Sequence, residues 1–227
     1  MKIAPNKISA TESLEAMAAG RLTSVQLVQS CLDRIAETDD RVRAWAHLDA
    51  EAALAQAAEA DRRRKAGYGL GALHGVPVGL KDIIDTADMP TERGTPVFAG
   101  RQPDADARVV ELLRQAGAVI LGKTVTTELA FMHPSQTRNP HNSDHSPGGS
   151  SSGSAAAVGA MQVPLAIGTQ TNGSVIRPAS FCGTFGFKPT RGVIPRSGVL
   201  ETSVTLDQLG GFARSLADVA LLTDAIS

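Results

Sequence analysis

An apolar run, Val163 to Ile167, leads directly into Gly168-Thr169-Gln170-Thr171-Asn172-Gly173-Ser174. A short strand that delivers a serine into a glycine-flanked turn presents a hydroxyl nucleophile beside backbone N–H groups, which is what acyl transfer needs. A second serine-rich run, Pro147-Gly148-Gly149-Ser150-Ser151-Ser152-Gly153-Ser154, lies just upstream. It has three readings. A flexible linker is not normally followed at once by a helix start such as Ala155-Ala156-Ala157-Val158. A phosphate loop would carry the lysine of the nucleotide-binding pattern, and this run has none. The third reading is a loop that aims hydroxyl and N–H groups into a site.

A serine hydroxyl needs a base. No histidine follows Ser174, so a Ser-His-Asp triad would have to recruit one of His47, His74, His133, His141 and His145 from upstream. Lys81 is the other candidate, because it emerges at the end of the apolar run Gly75-Val76-Pro77-Val78-Gly79-Leu80 with Asp82 next to it. Most lysines at strand ends are solvated and inert. One held in an apolar pocket has its charged form disfavoured and its pKa lowered, by up to ~3–5 units when fully buried, and can then act as a base.

These residues need elements to hold them. Ser9 to Gly20 and Thr23 to about Lys65 read as helices, with Thr23 and Gln26 forming a capping box and Leu27, Cys31 and Ile35 at helical spacing. Asp39-Asp40 and the Trp45 region are expected to break the second, and an Ala-rich helix resumes from Ala50. Beyond Gly71 the texture changes to short apolar runs, Val76 to Leu80, Ala118 to Leu121 and Val163 to Ile167, which read as buried strands. Helical patterns at Ala105 to Gln115, Ser154 to Ala160 and Ser215 to Ile226 lie among and after them. Strands alternating with helices predict an α/β layer architecture. The division is a helical N-terminal layer over 1–70 and a core over 71–227, and no internal repeat is visible.

With 227 residues, 42% of them hydrophobic, the chain can bury a sizeable core. Its 22 basic and 23 acidic residues are mixed, apart from Arg62-Arg63-Arg64-Lys65, which reads as the solvated end of a helix with cations at the C-terminal dipole. Neither a nucleic acid nor a membrane surface is implied. Cys31 and Cys182 are far apart and lack metal-ligand spacing, so the expected setting is reducing, and with no apolar leader or span the expectation is a cytoplasmic protein.

Taken together, Gly79-Leu80-Lys81-Asp82, Ser146 to Val158, Gly168 to Pro178, Phe181-Cys182-Gly183 and Phe187-Lys188-Pro189-Thr190 resemble the amidase signature family of serine amidohydrolases. The resemblance implies an α/β fold with a mixed central sheet flanked by helices. It covers about half of a usual member, which implies the N-terminal half of that fold, with the C-terminal half absent and an open sheet edge. Carried onto this sequence it implies a triad of Lys81, Ser150 and Ser174. Ser174 would be acylated, Ser150 would pass its proton, and a neutral Lys81 would be the final base. The bridging serine would follow a cis peptide, Gly149–Ser150, and the oxyanion hole would come from backbone N–H groups of Thr171, Asn172, Gly173 and Ser174. Asn172 stands where many members have glycine, and asparagine tolerates left-handed backbone.

On the same resemblance Ser151 supports the triad by hydrogen bonding. Arg177 has two roles open to it: clamping a neighbouring loop through a carboxylate, or facing the cleft to pair with an acidic substrate. The run beginning Gln170-Thr171 is nearer to members acting on small amides, malonamidase-like enzymes among them, than to the ammonia-releasing subunit of tRNA-dependent amidotransferases. The implied function is cleavage of a C–N amide bond of a small amide through a serine acyl-enzyme, without metal or organic cofactor. The glutaminase-type subunit of a tRNA-dependent amidotransferase, and a catalytically silent fragment, are the rivals. The implied partner is a small-molecule amide, with no direct contact to nucleic acid or membrane and with a homodimer left open. His133, His141, His145 and Asp144 fit no zinc-ligand pattern and read as loop residues, and Cys182 reads as a packed small residue.

Overall fold

The structure is a computed structural model that describes residues 3–227. Side-chain caps start the first helices: Ser9 with Glu12 opens α1 (Ala10–Ala18) and Thr23 with Gln26 opens α2 (Ser24–Val42), each box satisfying two N–H groups that the helix leaves unpaired. The expected break falls at the Trp45 region and not at Asp39-Asp40. α2 runs on to Val42 and ends at Arg43, whose backbone is left-handed (φ 54°). Asp39 fastens the departing chain instead of interrupting the helix, since its Oδ1 accepts the Ala44 N–H at 2.8 Å and Gln162 Nε2 at 3.1 Å.

Strand β1 (Trp45–Leu48) follows, inside the stretch expected to be a helical layer. It is secured by burial of Trp45, whose indole N–H reaches Gln162 Oε1 at 2.9 Å. α3 (Ala50–Lys65) then ends on the four consecutive basic residues, placed at the dipole's negative end. The remaining elements are β2 (Pro77–Lys81), α4 (Arg108–Gln115), β3 (Val119–Thr124), α5 (Ser152–Gly159), β4 (Leu165–Gln170), α6 (Ile176–Cys182), β5 (Phe185–Phe187), β6 (Gln208–Ala213) and α7 (Leu216–Ala225).

They build one mixed α/β fold around a six-stranded sheet of order β1-β3-β2-β4-β6-β5. β2 pairs in parallel with both β3 and β4; β1 and β6 are antiparallel to their neighbours, as is β5 to β6. Helices cover both faces, and two glycines show how closely. A Cβ on Gly168 would meet Ser151 Oγ at 2.5 Å beside the start of α5, and one on Gly211 would meet Leu222 of α7 at 2.8 Å. Ile167 pairs with Gly211 and Gly168 with Gly210, so these two positions point to opposite faces. The apolar core fills the space between: Val78, Leu80, Ile120, Leu121, Leu165, Ile167 and Phe212 are all buried. At the far edge, Phe185 and Phe187 on β5 are half exposed. Among the described residues no helix is long and apolar enough to cross a membrane.

Candidate functional site

Parallel pairing of β2 with β4 brings their carboxyl ends side by side, where ligand sites of α/β sheets form. Lys81 is the last residue of β2 and Thr169 the penultimate residue of β4. The loop entering α5 lowers Ser150 and Ser151 onto the same point. Lys81 is fully buried; its Nζ lies 2.7 Å from Ser150 Oγ and 2.8 Å from Thr169 Oγ1, and among the described residues no carboxylate touches it. Burial lowers its pKa to about 7, with the more distant negative charge of Asp207 acting in the opposite direction. A lysine of that affinity is substantially neutral at neutral pH and able to accept a proton.

Ser150 is held from several sides. The Gly149–Ser150 peptide is cis. The Ser150 carbonyl accepts the Thr127 N–H at 3.1 Å, and the Gly149 carbonyl accepts Arg177 Nε at 3.0 Å and Nη2 at 2.8 Å. Arg177 therefore clamps the neighbouring loop, but through a backbone carbonyl and not through a carboxylate. Its side chain also lines a groove of about 700 Å³ together with Phe131, Gly149 and Phe181. Ser151 ties the loop to β4: its Oγ donates to Thr169 O at 3.1 Å and accepts the Thr169 N–H at 3.2 Å.

Ser174 is buried in the turn between β4 and α6. Gln170 shapes that turn, because its Oε1 accepts the N–H groups of both Val175 (2.9 Å) and Ile176 (3.0 Å), the two that follow Ser174. Among the described residues, the N–H groups of Thr171, Asn172, Gly173 and Ser174 donate to no protein acceptor, so four donors stand free along the turn. Thr171 is engaged through its hydroxyl with Asp207. The structure thus joins Lys81, Ser150, Thr169 and Ser151 in one hydrogen-bonded cluster. Among the described residues no hydrogen bond joins Ser174 Oγ to Ser150 or to Lys81.

Thr169 and Gln170 do not stand out by residue type. They lie in the quoted run, but only the strand register shows that one meets Lys81 and the other caps the following turn. The alternative nucleophiles and bases lie elsewhere. Burial pushes the Cys182 and Cys31 thiols up to about 12, and both are free. His74 Nε2 sits 2.8 Å from Ala60 O and His141 Nε2 2.9 Å from Cys182 O, while His133 and His145 are exposed on loops.

The amidase family model matches residues 26–227. The chain is 47% identical over 227 residues to a glutamyl-tRNA(Gln) amidotransferase subunit of Thermobifida fusca (strain YX), covering 97% of this chain and 46% of that protein. It is 45% identical to the subunit of the same name from Chloroflexus aggregans, covering 93% and 45%. The native peptide amidase of Stenotrophomonas maltophilia superimposes with a TM-score of 0.93 at 42% identity, over 97% of this chain and 48% of that one. The chain therefore spans about half the length of the curated relatives it matches. These names overturn the expectation of a small-molecule partner alone without nucleic acid: relatives at 47% and 45% identity are subunits of an enzyme named for a tRNA. A few residues of the Gln170-Thr171 turn do not decide between family branches when likeness is spread over the whole chain. With a family match that runs through both serine loops, Lys81 and the entire sheet, the chain belongs to the amidase family.

Proposed function

We propose that this chain carries the acyl-transfer centre of an amidase that cleaves a C–N amide bond, with Ser174 as nucleophile, Ser150 as proton bridge and Lys81 as base. The observation that carries this reading is the 2.7 Å contact between a fully buried Lys81 amine and Ser150 Oγ. An aliphatic hydroxyl has negligible anion at neutral pH, so attack must be concerted with proton removal. The Ser174 proton passes to Ser150 as the Ser150 proton passes to Lys81, and Ser174 Oγ bonds the amide carbon. The carbonyl oxygen gains negative charge and turns towards the free N–H groups of Thr171, Asn172, Gly173 and Ser174. Collapse breaks the C–N bond, and the proton returns along the same path to the departing ammonia or amine. Water repeats the sequence on the ester. Contact between the two serine hydroxyls belongs to the substrate-bound state in this scheme, since catalytic hydrogen bonds tighten there. Arg177 and Ser151 hold the bridge in place, through Gly149 O and the Thr169 backbone.

A second reading is supported by the relatives' names: the same centre would release ammonia from glutamine as one component of a tRNA-dependent amidotransferase. Labelling with a fluorophosphonate, read by intact mass, tests the shared chemistry. One adduct on wild type, none on Ser174→Ala, none at neutral pH on Lys81→Ala and a loss of about 10²-fold or more on Ser150→Ala are expected. Near-normal labelling of both Lys81→Ala and Ser150→Ala removes the relay. No labelling of wild type favours a catalytically silent chain. Glutamine hydrolysis that appears only with added amidotransferase subunits selects the second reading over hydrolysis of simple amides by the chain alone.

A further inference from the structure

The antiparallel register of β4 and β6 pairs Gln170 with Gln208. One residue further out, Thr171 on the serine turn therefore meets Asp207. This aspartate is 7% exposed. Its Oδ1 accepts the hydroxyls of Thr171 and Thr202, the latter at 2.9 Å, and its Oδ2 accepts the N–H groups of Thr202 at 2.7 Å and Ser203 at 2.8 Å. A carboxylate offers only acceptors, and here both oxygens are filled by donors from two separate segments. The turn that presents Ser174 and the loop before β6 are pinned to one another through this group.

It is also linked to the base through the end of β4, because Thr171, which it holds, lies two residues beyond Thr169, the hydroxyl partner of Lys81 Nζ. Among the described residues Lys81 has two hydroxyl partners and no salt bridge, and Asp207 supplies the one charge felt appreciably at its amine. Arg196 lies beside Asp207: its Nη1 donates to the Asp207 carbonyl at 3.0 Å, and its Nη2 is 4.0 Å from Oδ2 while donating to Glu201 at 2.8 Å. Burial raises the Asp207 pKa, yet the Thr171 hydroxyl and the Ser203 and Thr202 N–H groups outweigh it and leave the carboxyl below its ordinary range. The negative charge is thus permanent at working pH.

We propose that Asp207 is a positioning residue of this site, which fixes the Thr171 to Ser174 turn through the Thr171 hydroxyl and supplies a negative charge that acts on Lys81. The proposal rests on Lys81 and Ser174 acting as base and nucleophile, and its test separates the two ideas. In Asp207→Asn the amide NH2 cannot accept from Thr202 and Ser203, and the charge is gone. Two readouts are taken on wild type, Asp207→Asn and Thr171→Val. One is the titration midpoint of Lys81, followed by the NMR shift of its ¹³Cε and assigned by its loss in Lys81→Met. The other is the fluorophosphonate labelling rate as a function of pH.

Asp207→Asn is expected to lower the Lys81 midpoint, because an ammonium that loses a nearby carboxylate gives up its proton more readily. The acid limb of the labelling profile moves to lower pH with it, and the plateau rate falls by about tenfold or more as the turn loosens. Thr171→Val, which keeps the charge, lowers the plateau and leaves the midpoint in place. A labelled wild type with an unmoved midpoint and a plateau within twofold in Asp207→Asn overturns the proposal and spares the amidase reading. An unlabelled wild type whose Lys81 midpoint still falls in Asp207→Asn does the reverse for the charge role. If Asp207→Asn does not fold, undiminished labelling of Thr171→Val overturns the pinning of the turn.

Discussion

Replacing Lys81 by methionine should stabilise the protein at neutral pH, and by an amount that falls as the pH rises. Burial takes the amine from an ordinary value of 10.5 to about 7. Between those limits the unfolded chain binds a proton that the folded chain releases, so stability rises with pH across that window and the cost of burying the amine is largest at the acid end. At pH 7 a shift of this size costs about 4 kcal/mol, and at pH 9 about 2 kcal/mol, on the scale of ~1.36 kcal/mol per pKa unit. Methionine has similar volume and no charge, but it leaves the hydroxyls of Ser150 and Thr169 without their partner, a loss of about 1 kcal/mol each. The net expectation is that Lys81→Met is more stable than wild type by about 2 kcal/mol at pH 7, and about equal to it at pH 9.

Urea unfolding measures this directly. The single tryptophan, Trp45, is buried, and its ring packs beside Gly79 of the strand that carries Lys81, so its fluorescence reports the relevant region. Taking the difference between the two proteins at each pH cancels every titration they share. A difference that narrows by about 2 kcal/mol from pH 7 to pH 9 confirms the depressed proton affinity. Parallel curves would refute it, and with it the physical basis for Lys81 as a neutral base.

Gly168→Ala places a methyl group 2.5 Å from Ser151 Oγ and 2.7 Å from Phe212; a loss of about 1–3 kcal/mol in urea unfolding is expected, with fluorophosphonate labelling slowed because Ser151 is displaced from Thr169. Asp218→Ala removes the acceptor for the N–H groups of Ala10 (3.0 Å) and Thr11 (2.9 Å) and for the Thr11 hydroxyl. A loss of about 2–3 kcal/mol is expected, with faster amide hydrogen exchange at the start of α1 and no change in labelling rate.

Local runs make part of this arrangement legible. A strand-end lysine, a Gly-Ser loop before an alanine helix and a serine turn after an apolar strand can each be recognised within about ten residues, and the fold brings Lys81 and Ser150 into contact. What escapes depends on distant partners. Thr169 meets Lys81 because two strands separated by more than eighty residues pair in parallel, which no window of sequence displays. β6 is unreadable for a steric reason: Gly210 and Gly211 interrupt its apolar pattern, yet a side chain at either position would collide with Phe187 O or Leu222. Asp39-Asp40 has the look of a helix break because aspartate competes with the backbone for hydrogen bonds. In the fold Asp39 does compete, but for the Ala44 N–H beyond the helix end, so α2 continues past it. Arg177 is of a type that calls for a carboxylate, whereas a single carbonyl accepting from two guanidinium nitrogens satisfies the same donors.

Two lysines in this molecule are equally buried, and the partners of each bear on the proposed choice of Lys81 as base. Lys123 lies on β3 with its side chain fully enclosed, and burial lowers its pKa to about 8. Its Nζ donates to the Ile84 carbonyl as well as to the hydroxyls of Thr91 and Thr86. A carbonyl oxygen can only accept, and the Thr91 and Thr86 hydroxyls donate their own hydrogens to Ile84 O at 3.4 Å and Met89 O at 3.1 Å, so all three partners of Lys123 act as acceptors and none donates to a neutral amine. Lys81 has no carbonyl partner among the described residues. Both of its contacts, Ser150 and Thr169, are hydroxyls, which accept from an ammonium or donate to a neutral amine by rotating one O–H bond. The cluster around Lys81 can therefore change protonation state without leaving a buried polar group unpaired, while the surroundings of Lys123 fix its hydrogens in place. Burial alone lowers both affinities; the reversibility of the partners distinguishes a group placed to exchange a proton from one that ties the loop after β2 to the sheet.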